Sequence, residues 1–184
     1  MKKAFPIMLM VLGLVFVGAG AYTITRGVDA RHQVKDELVA QNITTTPDAS
    51  IPNVQVNNAA TAKSMAEIID RHEREATGGK TYSELGRYLA VGGGDTNDSK
   101  AAVIGANGKP TPNPLRDTAF QASALRTSLY TSVMAFNLSD LVVGLGLMIV
   151  VLGLAVGGMG VARAGLAIPT FAQKLHVEPV AAAH

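Results

Sequence analysis

LVVGLGLMIVVLGLAVGGMGVA, Leu141 to Ala162, decides the fold. These 22 residues carry no charge and lie between Asp140 and Arg163. A helix rises 1.5 Å per residue, so such a run crosses the ~30 Å hydrocarbon core of a bilayer. So late in a chain it has no signal-peptide reading. Ala4 to Thr25, AFPIMLMVLGLVFVGAGAYTIT, is a second uncharged run of 22 residues, preceded by Lys2 and Lys3 and followed by Arg26. Ala19-Gly20-Ala21 has the form of a leader cleavage site, but the apolar run exceeds a usual signal core, so an uncleaved anchor is expected. The two runs predict an all-α membrane protein with two antiparallel transmembrane helices.

The composition agrees. Of 184 residues, 48% are hydrophobic and 16% charged, and mean hydropathy is +0.24. Sixteen basic against 14 acidic residues leave +2, so no basic field points to nucleic acid. The absence of cysteine excludes disulfides, thiolate nucleophiles and Cys-ligated metals.

Orientation follows from the flanks. Lys2, Lys3, Arg163 and Lys174 stand against Glu178 alone, which places both termini in the cytoplasm of a plasma-membrane protein. Residues 27–139 are then extracytoplasmic. Arg26 to Asp140 holds 12 basic and 13 acidic residues and is too long for its own charges to set topology.

Gly146, Gly153 and Gly160 recur every seven residues, with Val150 and Gly157 between them. Steps of four and three keep them on one helix face, and Gly153-Gly157 is a GxxxG pair. Gly13, Val17 and Gly20 repeat the spacing in the first span. Small residues let two helix backbones approach closely where lipid gives no hydrophobic drive. The pattern serves a seam within one chain or a homo-oligomer equally.

The expected organisation is a first span over 1–26, an insert over 27–116, a stalk helix running into the second span over 117–162, and a cytoplasmic tail over 163–184. Val28 to Val39 can prolong the first helix. QNITTTPDASIPNVQVNNAAT reads as extended loop. Met65, Ile68, Ile69 and His72 predict a helix over 61–76 with His72 on its inner face, stopped by Gly78-Gly79. Thr81 and Glu84 form a capping-box pattern that predicts a second short helix over 82–90, stopped by Gly92 to Gly94. Gly92 to Pro114 reads as a loop with a hairpin signal at Asn107-Gly108. From Asp117 no glycine or proline interrupts the pattern up to Val143. One helix from Asp117 to Val161 would be roughly 67 Å long, twice the hydrocarbon thickness.

IIDRHEREATGGKTYSELGR, followed by ALRTSLYTSVMAFNLSDLVVGLG, resembles a family of small two-span actinobacterial membrane proteins. The residues that carry the likeness are Ile68, Ile69, His72, Thr77 to Tyr82, Glu84, Leu85, Leu125, Arg126, Ser128, Leu129, Thr131 to Val133, Ala135 and Phe136. They cover about half the chain in the right order. No activity is established for the family, although members are sometimes labelled aromatic-ring-opening dioxygenases. The chain departs from the pattern between Gly92 and Pro114, where it carries a longer glycine-rich insertion.

The residues themselves argue against catalysis. A ring-opening iron site takes two His and a carboxylate. The expected topology divides the four histidines, with His32 and His72 outside and His176 and His184 inside. His72-Glu73-Arg74-Glu75 is not HExxH, because position 76 is Ala. Gly79-Lys80-Thr81 is only the end of a P-loop and follows a helix instead of a strand. Asn42, Asn97 and Asn137 lie in N-x-[ST] triplets, which in an actinobacterial protein are not read as glycan sites.

His72, Lys80, Tyr82, Tyr88, Arg126, Tyr130 and Asp140 are the interface candidates, since Arg and Tyr dominate binding hot spots. Asp140, at the membrane boundary, is expected to stay hydrated or to pair with Arg126 of a neighbouring chain. The expected function is that of a non-catalytic accessory or scaffold subunit without cofactor or metal. Its partners would be integral membrane subunits and lipid, with a respiratory assembly as one concrete candidate. The alternative is a membrane-anchored sensor that binds a lipid or small molecule with its outer helices.

Overall fold

The computed structural model describes residues 4–165. Lys2, Lys3 and residues 166–184 of the expected tail, with Lys174, His176, Glu178 and His184, lie outside the described residues. Three helices dominate: α1 (Ala4–Ala40), α2 (Ala59–Thr77) and α3 (Pro114–Arg163). Two-residue strands β1 (Tyr88–Leu89) and β2 (Asp95–Thr96) pair antiparallel, Tyr88 with Thr96 and Leu89 with Asp95. The chain is therefore mostly helical but not all-α. α1 and α3 are both long and apolar enough to cross a membrane.

The chain divides into two compact units. Among the described residues, one comprises 4–27 with 141–165, and the other is Val28–Asp140. In the first unit the buried positions of α1 are Pro6, Gly13, Gly20 and Gly27, and those of α3 are Gly146, Gly153 and Gly160. Each set keeps a seven-residue repeat, the period that holds one face of a helix against a partner. The large side chains face outward, Leu14 at 73% and Met148 at 62% exposure.

The second unit has its own core. Leu38 of α1, Ala62 and Ala66 of α2, and Leu129 and Phe136 of α3 close around Val56, which is fully buried. α1 ends where Asn42 turns to a positive φ of 52°. The expected extended loop of 41–58 is an irregular hairpin. Thr44 bridges Gln55, Thr45 N–H donates to the Val54 carbonyl at 2.9 Å, and Val56 N–H to that of Ile43 at 2.8 Å. Asn58 caps α2, its side chain accepting from Thr61 N–H at 3.0 Å. Gly78 closes α2 at φ 64°, a left-handed conformation that favours glycine.

The expected helix over 82–90 is absent. Thr81 and Glu84 do form their reciprocal pair: Thr81 N–H donates to the Glu84 carboxylate at 2.8 Å, and Glu84 N–H to the Thr81 carbonyl at 3.0 Å. The turn stops after one cycle for two reasons. Arg116 takes the carbonyls of Tyr82, at 3.2 Å, and of Leu85, which a helix would use internally. Gly86 donates instead to the Asp95 carboxylate at 2.8 Å and packs so close to Thr96 that an added Cβ would lie 2.5 Å from its nitrogen. The chain then crosses as β1. The Asn107-Gly108 turn forms, with Ile104 bridging Pro110. α3 starts at Pro114, three residues before the expected boundary, with Leu115 N–H donating to the Asn113 side chain at 3.1 Å. Proline suits a first helical turn because the missing N–H has no partner there.

Candidate functional site

The glycines singled out by spacing lie against one another. A Cβ on Gly13 would meet Gly157 N at 2.5 Å and Gly153 O at 2.6 Å. On Gly20 it would meet Gly146 O at 2.7 Å, on Gly153 it would meet Gly13 O at 2.7 Å, and on Gly160 it would meet Pro6 O at 2.8 Å. Gly146 abuts Ile24 and Gly20 at 2.7–2.9 Å. Gly157 differs, since its own Cβ would find only Gly13 Cα at 3.8 Å, an ordinary contact. Because these faces meet within one chain, a second copy has to use another surface. Arg163 closes α3 with its guanidinium 5.6 Å from the Phe5 ring.

In the Val28–Asp140 unit most charged side chains on α2 and α3 find partners within the unit. Arg126 points to α2, where it pairs with Asp70 at 2.7 Å and Glu73 at 3.4 Å. Glu73 is 6% exposed, so it is Glu73 and not His72 that occupies the inner face of α2. A buried carboxylate requires a counter-charge, and Arg126 supplies it from 53 residues away in the chain. Asp70 has a second partner in Arg74 at 3.1 Å. Arg126 is thus not free for a neighbouring Asp140. Asp140 pairs instead with Arg31, whose guanidinium also lies 5.6 Å from the Phe136 ring.

His72 is exposed, correcting its expected inward position, and ties α2 to the 41–58 hairpin. Its Nε2 lies 2.8 Å from the Asp48 carboxylate, and Arg71 donates to the same carboxylate at 2.8 Å and to the Asp48 carbonyl at 2.7 Å. The Asp48 carboxyl is held well below the usual carboxylate range, first by the neighbouring Thr46 hydroxyl and then by His72 and Arg71. The Thr46 hydroxyl itself falls short of hydrogen-bond geometry with any described partner, so the contacts from Arg71 and His72 of α2 define the latch.

A depressed carboxyl stabilises the fold fully above the unfolded value of about 3.9 and loses that contribution as pH falls through the folded value. Amide protection at Thr45 and Val56 should therefore decline in acid below about pH 4. The Asp48→Asn variant should start lower and lack that acid step. Identical acid profiles in hydrogen-exchange measurements on the two proteins would rule the latch out.

The remaining candidates are distributed through the 78–113 segment and α3. Lys80 pairs with Asp95 at 3.1 Å. The Asp95 carboxyl is lowered chiefly by the Gly86 N–H and then by Lys80. Tyr82 lies under the Arg116 guanidinium, 4.0 Å from ring centre to Cζ, and 5.8 Å from the Phe120 ring. Tyr88 sits in β1 beside Pro112, and Tyr130 is 38% exposed on α3. No described group of three or more His, Asp or Glu residues converges as a metal site would require. A cavity of about 150 Å³ lies among Leu38, Ile43, Met65, Ile69 and Leu129.

Of the apolar residues that recur at helical spacing from Asp117, Phe120, Leu125, Leu129 and Met134, only Leu129 is buried; Leu138 on α3 and Val91 and Ile104 in the 88–113 segment are also uncovered. The signal was present in α3 as apolar residues outside the span. No family model, curated protein or solved structure matches the chain.

Proposed function

We propose that the chain is a two-span plasma-membrane protein that serves as a non-catalytic accessory or scaffold subunit. α1 and α3 cross the bilayer antiparallel, both termini are cytoplasmic and residues 27–139 lie outside. The order of the glycine contacts supports this arrangement: Pro6 meets Gly160, Gly13 meets Gly153 and Gly157, and Gly20 meets Gly146. Lys2, Lys3 and Arg163 at the proposed cytoplasmic ends support the orientation.

One observation carries the scaffold reading. The Val28–Asp140 unit uses its buried and half-buried charges to hold its own elements together, while Val91, Ile104, Phe120, Leu125, Met134 and Leu138 stay uncovered. Exposed apolar residues mark contact surfaces. A respiratory assembly is one concrete candidate for that complex.

Purification of the native protein in mild detergent, followed by mass spectrometry, tests this reading. Other membrane subunits should accompany it at fixed stoichiometry. Recovery alone, or only with itself, would overturn the scaffold role.

A further inference from the structure

The three helices and the 41–58 hairpin do not close completely where they meet. They leave the cavity of about 150 Å³ between the end of α1, the hairpin, α2 and α3. Leu38 and Leu129, 4% and 5% exposed, line its deep end beside the core of the Val28–Asp140 unit. Ile43, Met65 and Ile69, each half-buried, form its sides. Gln41 and Ser128 are exposed and stand at its mouth. None of the described residues that line it is charged.

Two features set this cavity apart from a packing gap. Unfilled volume beside a core destabilises in proportion to its size, because the lining atoms lose contacts. Met65, an unbranched side chain able to fill irregular gaps, stands in the wall and leaves the volume open. The polar groups at the mouth are also unspent. Thr127, Thr131 and Ser132, on the same stretch of α3, each donate to the carbonyl four residues back, at 2.8, 2.8 and 3.2 Å. Among the described residues the Ser128 hydroxyl makes no such bond. An apolar pocket with a few polar groups converging at one end is the usual form of a small-molecule site.

We propose that this cavity binds a small neutral amphiphile: a compact apolar body with one hydroxyl, the hydroxyl held at the mouth by Gln41 and Ser128. Size and lining chemistry choose the occupant. A dry apolar cavity of about 150 Å³ holds one benzene molecule, so the body has about six non-hydrogen atoms. An ion would lie desolvated with no counter-charge in the lining. The acyl chain of a membrane lipid is several times too large. The site lies wholly within the Val28–Asp140 unit and needs neither the two-span topology nor the scaffold role.

The full chain, labelled with ¹³C-methyl methionine, is titrated in mild detergent with cyclohexanol. Methylcyclohexane supplies the same ring without the hydroxyl. Met65→Leu assigns the Met65 resonance among the seven methionines. Met134 and Met148, 71% and 62% exposed, report non-specific partition. Cyclohexanol should shift the Met65 methyl saturably and leave no saturable shift at the other two. Ser128→Phe, at an exposed position that tolerates bulk, closes the mouth and should abolish the Met65 response. The Gln41→Leu, Ser128→Ala double variant should bind cyclohexanol about three- to tenfold more weakly, the effect of one neutral hydrogen bond, and methylcyclohexane as before. Each ligand is compared between variants in one detergent, so its partition into micelles cancels.

No saturable shift at Met65, or parallel shifts at Met134 and Met148, overturns the site. A Met65 response that survives Ser128→Phe puts the ligand elsewhere and overturns it too. A double variant that weakens both ligands equally, or neither, removes the polar mouth and with it the amphiphile. A lipid retained one per chain in native mass spectra, and lost in Ser128→Phe, places an acyl chain in the cavity and also overturns the proposal.

Discussion

Replacing Arg126 with Met should lower the stability of the outer unit by about 3–5 kcal/mol, the effect of breaking a buried pair from one side. The loss falls on Glu73. Asp70 keeps Arg74 at 3.1 Å, whereas Glu73, 6% exposed, has no other cation in contact among the described residues. Because the Arg126 side chain is 29% exposed, solvent softens the loss and the lower end of that range is expected. For a chain of this size it corresponds to a fall in Tm on the order of 10 °C. Removing the orphaned charge as well should restore most of it: the Glu73→Leu, Arg126→Met double variant should melt within a few degrees of the native protein, since well-packed apolar replacements of buried pairs are often neutral. Thermal melts of the three proteins in one detergent check this. An Arg126→Met variant that melts like the native protein would show that the pair does not hold α3 to α2.

This pair also shows where sequence reading stopped. Arg126 stood out as a residue type common in interfaces, and His72 as the polar member of an apolar stripe. Nothing local says that Glu73 turns inward, because its counter-charge comes from a helix 53 residues later. The helix expected over 82–90 failed for a similar reason. Its capping pair is real, but Arg116 and Asp95 claim the backbone groups that a second turn would need. The two long apolar helices and the glycine faces were legible because their causes are local. Twenty-two uncharged residues mark by themselves a helix long and apolar enough to cross a membrane, and a glycine every seven residues marks one face of it. The Asn58 cap was overlooked although asparagine is a favoured N-cap, because the apolar period of α2 begins only later.

The glycine face makes the sharpest graded prediction, because spacing treats its members alike and geometry does not. Gly13→Leu and Gly153→Leu should each destabilise the pairing of α1 with α3 by about 3 kcal/mol or more, at or above the usual range for overpacking. The atoms that an added Cβ would strike, Gly157 N at 2.5 Å and Gly13 O at 2.7 Å, are backbone and cannot rotate away. The helices would have to separate, and loss of close packing removes the principal attraction available between helices in lipid. Gly18→Leu and Gly144→Leu add the same bulk to the same two helices, but nothing lies within 4 Å of either position, so both should behave as the native protein does. Gly157→Ala should also be tolerated, its Cβ reaching only Gly13 Cα at 3.8 Å, whereas Gly153→Ala should not, although the two glycines form a single GxxxG pair in the sequence. Tm and the monodisperse fraction in mild detergent separate the two sets. Equal loss across all the variants would mean that helix hydrophobicity or insertion is being read; equal tolerance would mean that α1 and α3 do not pair through these faces.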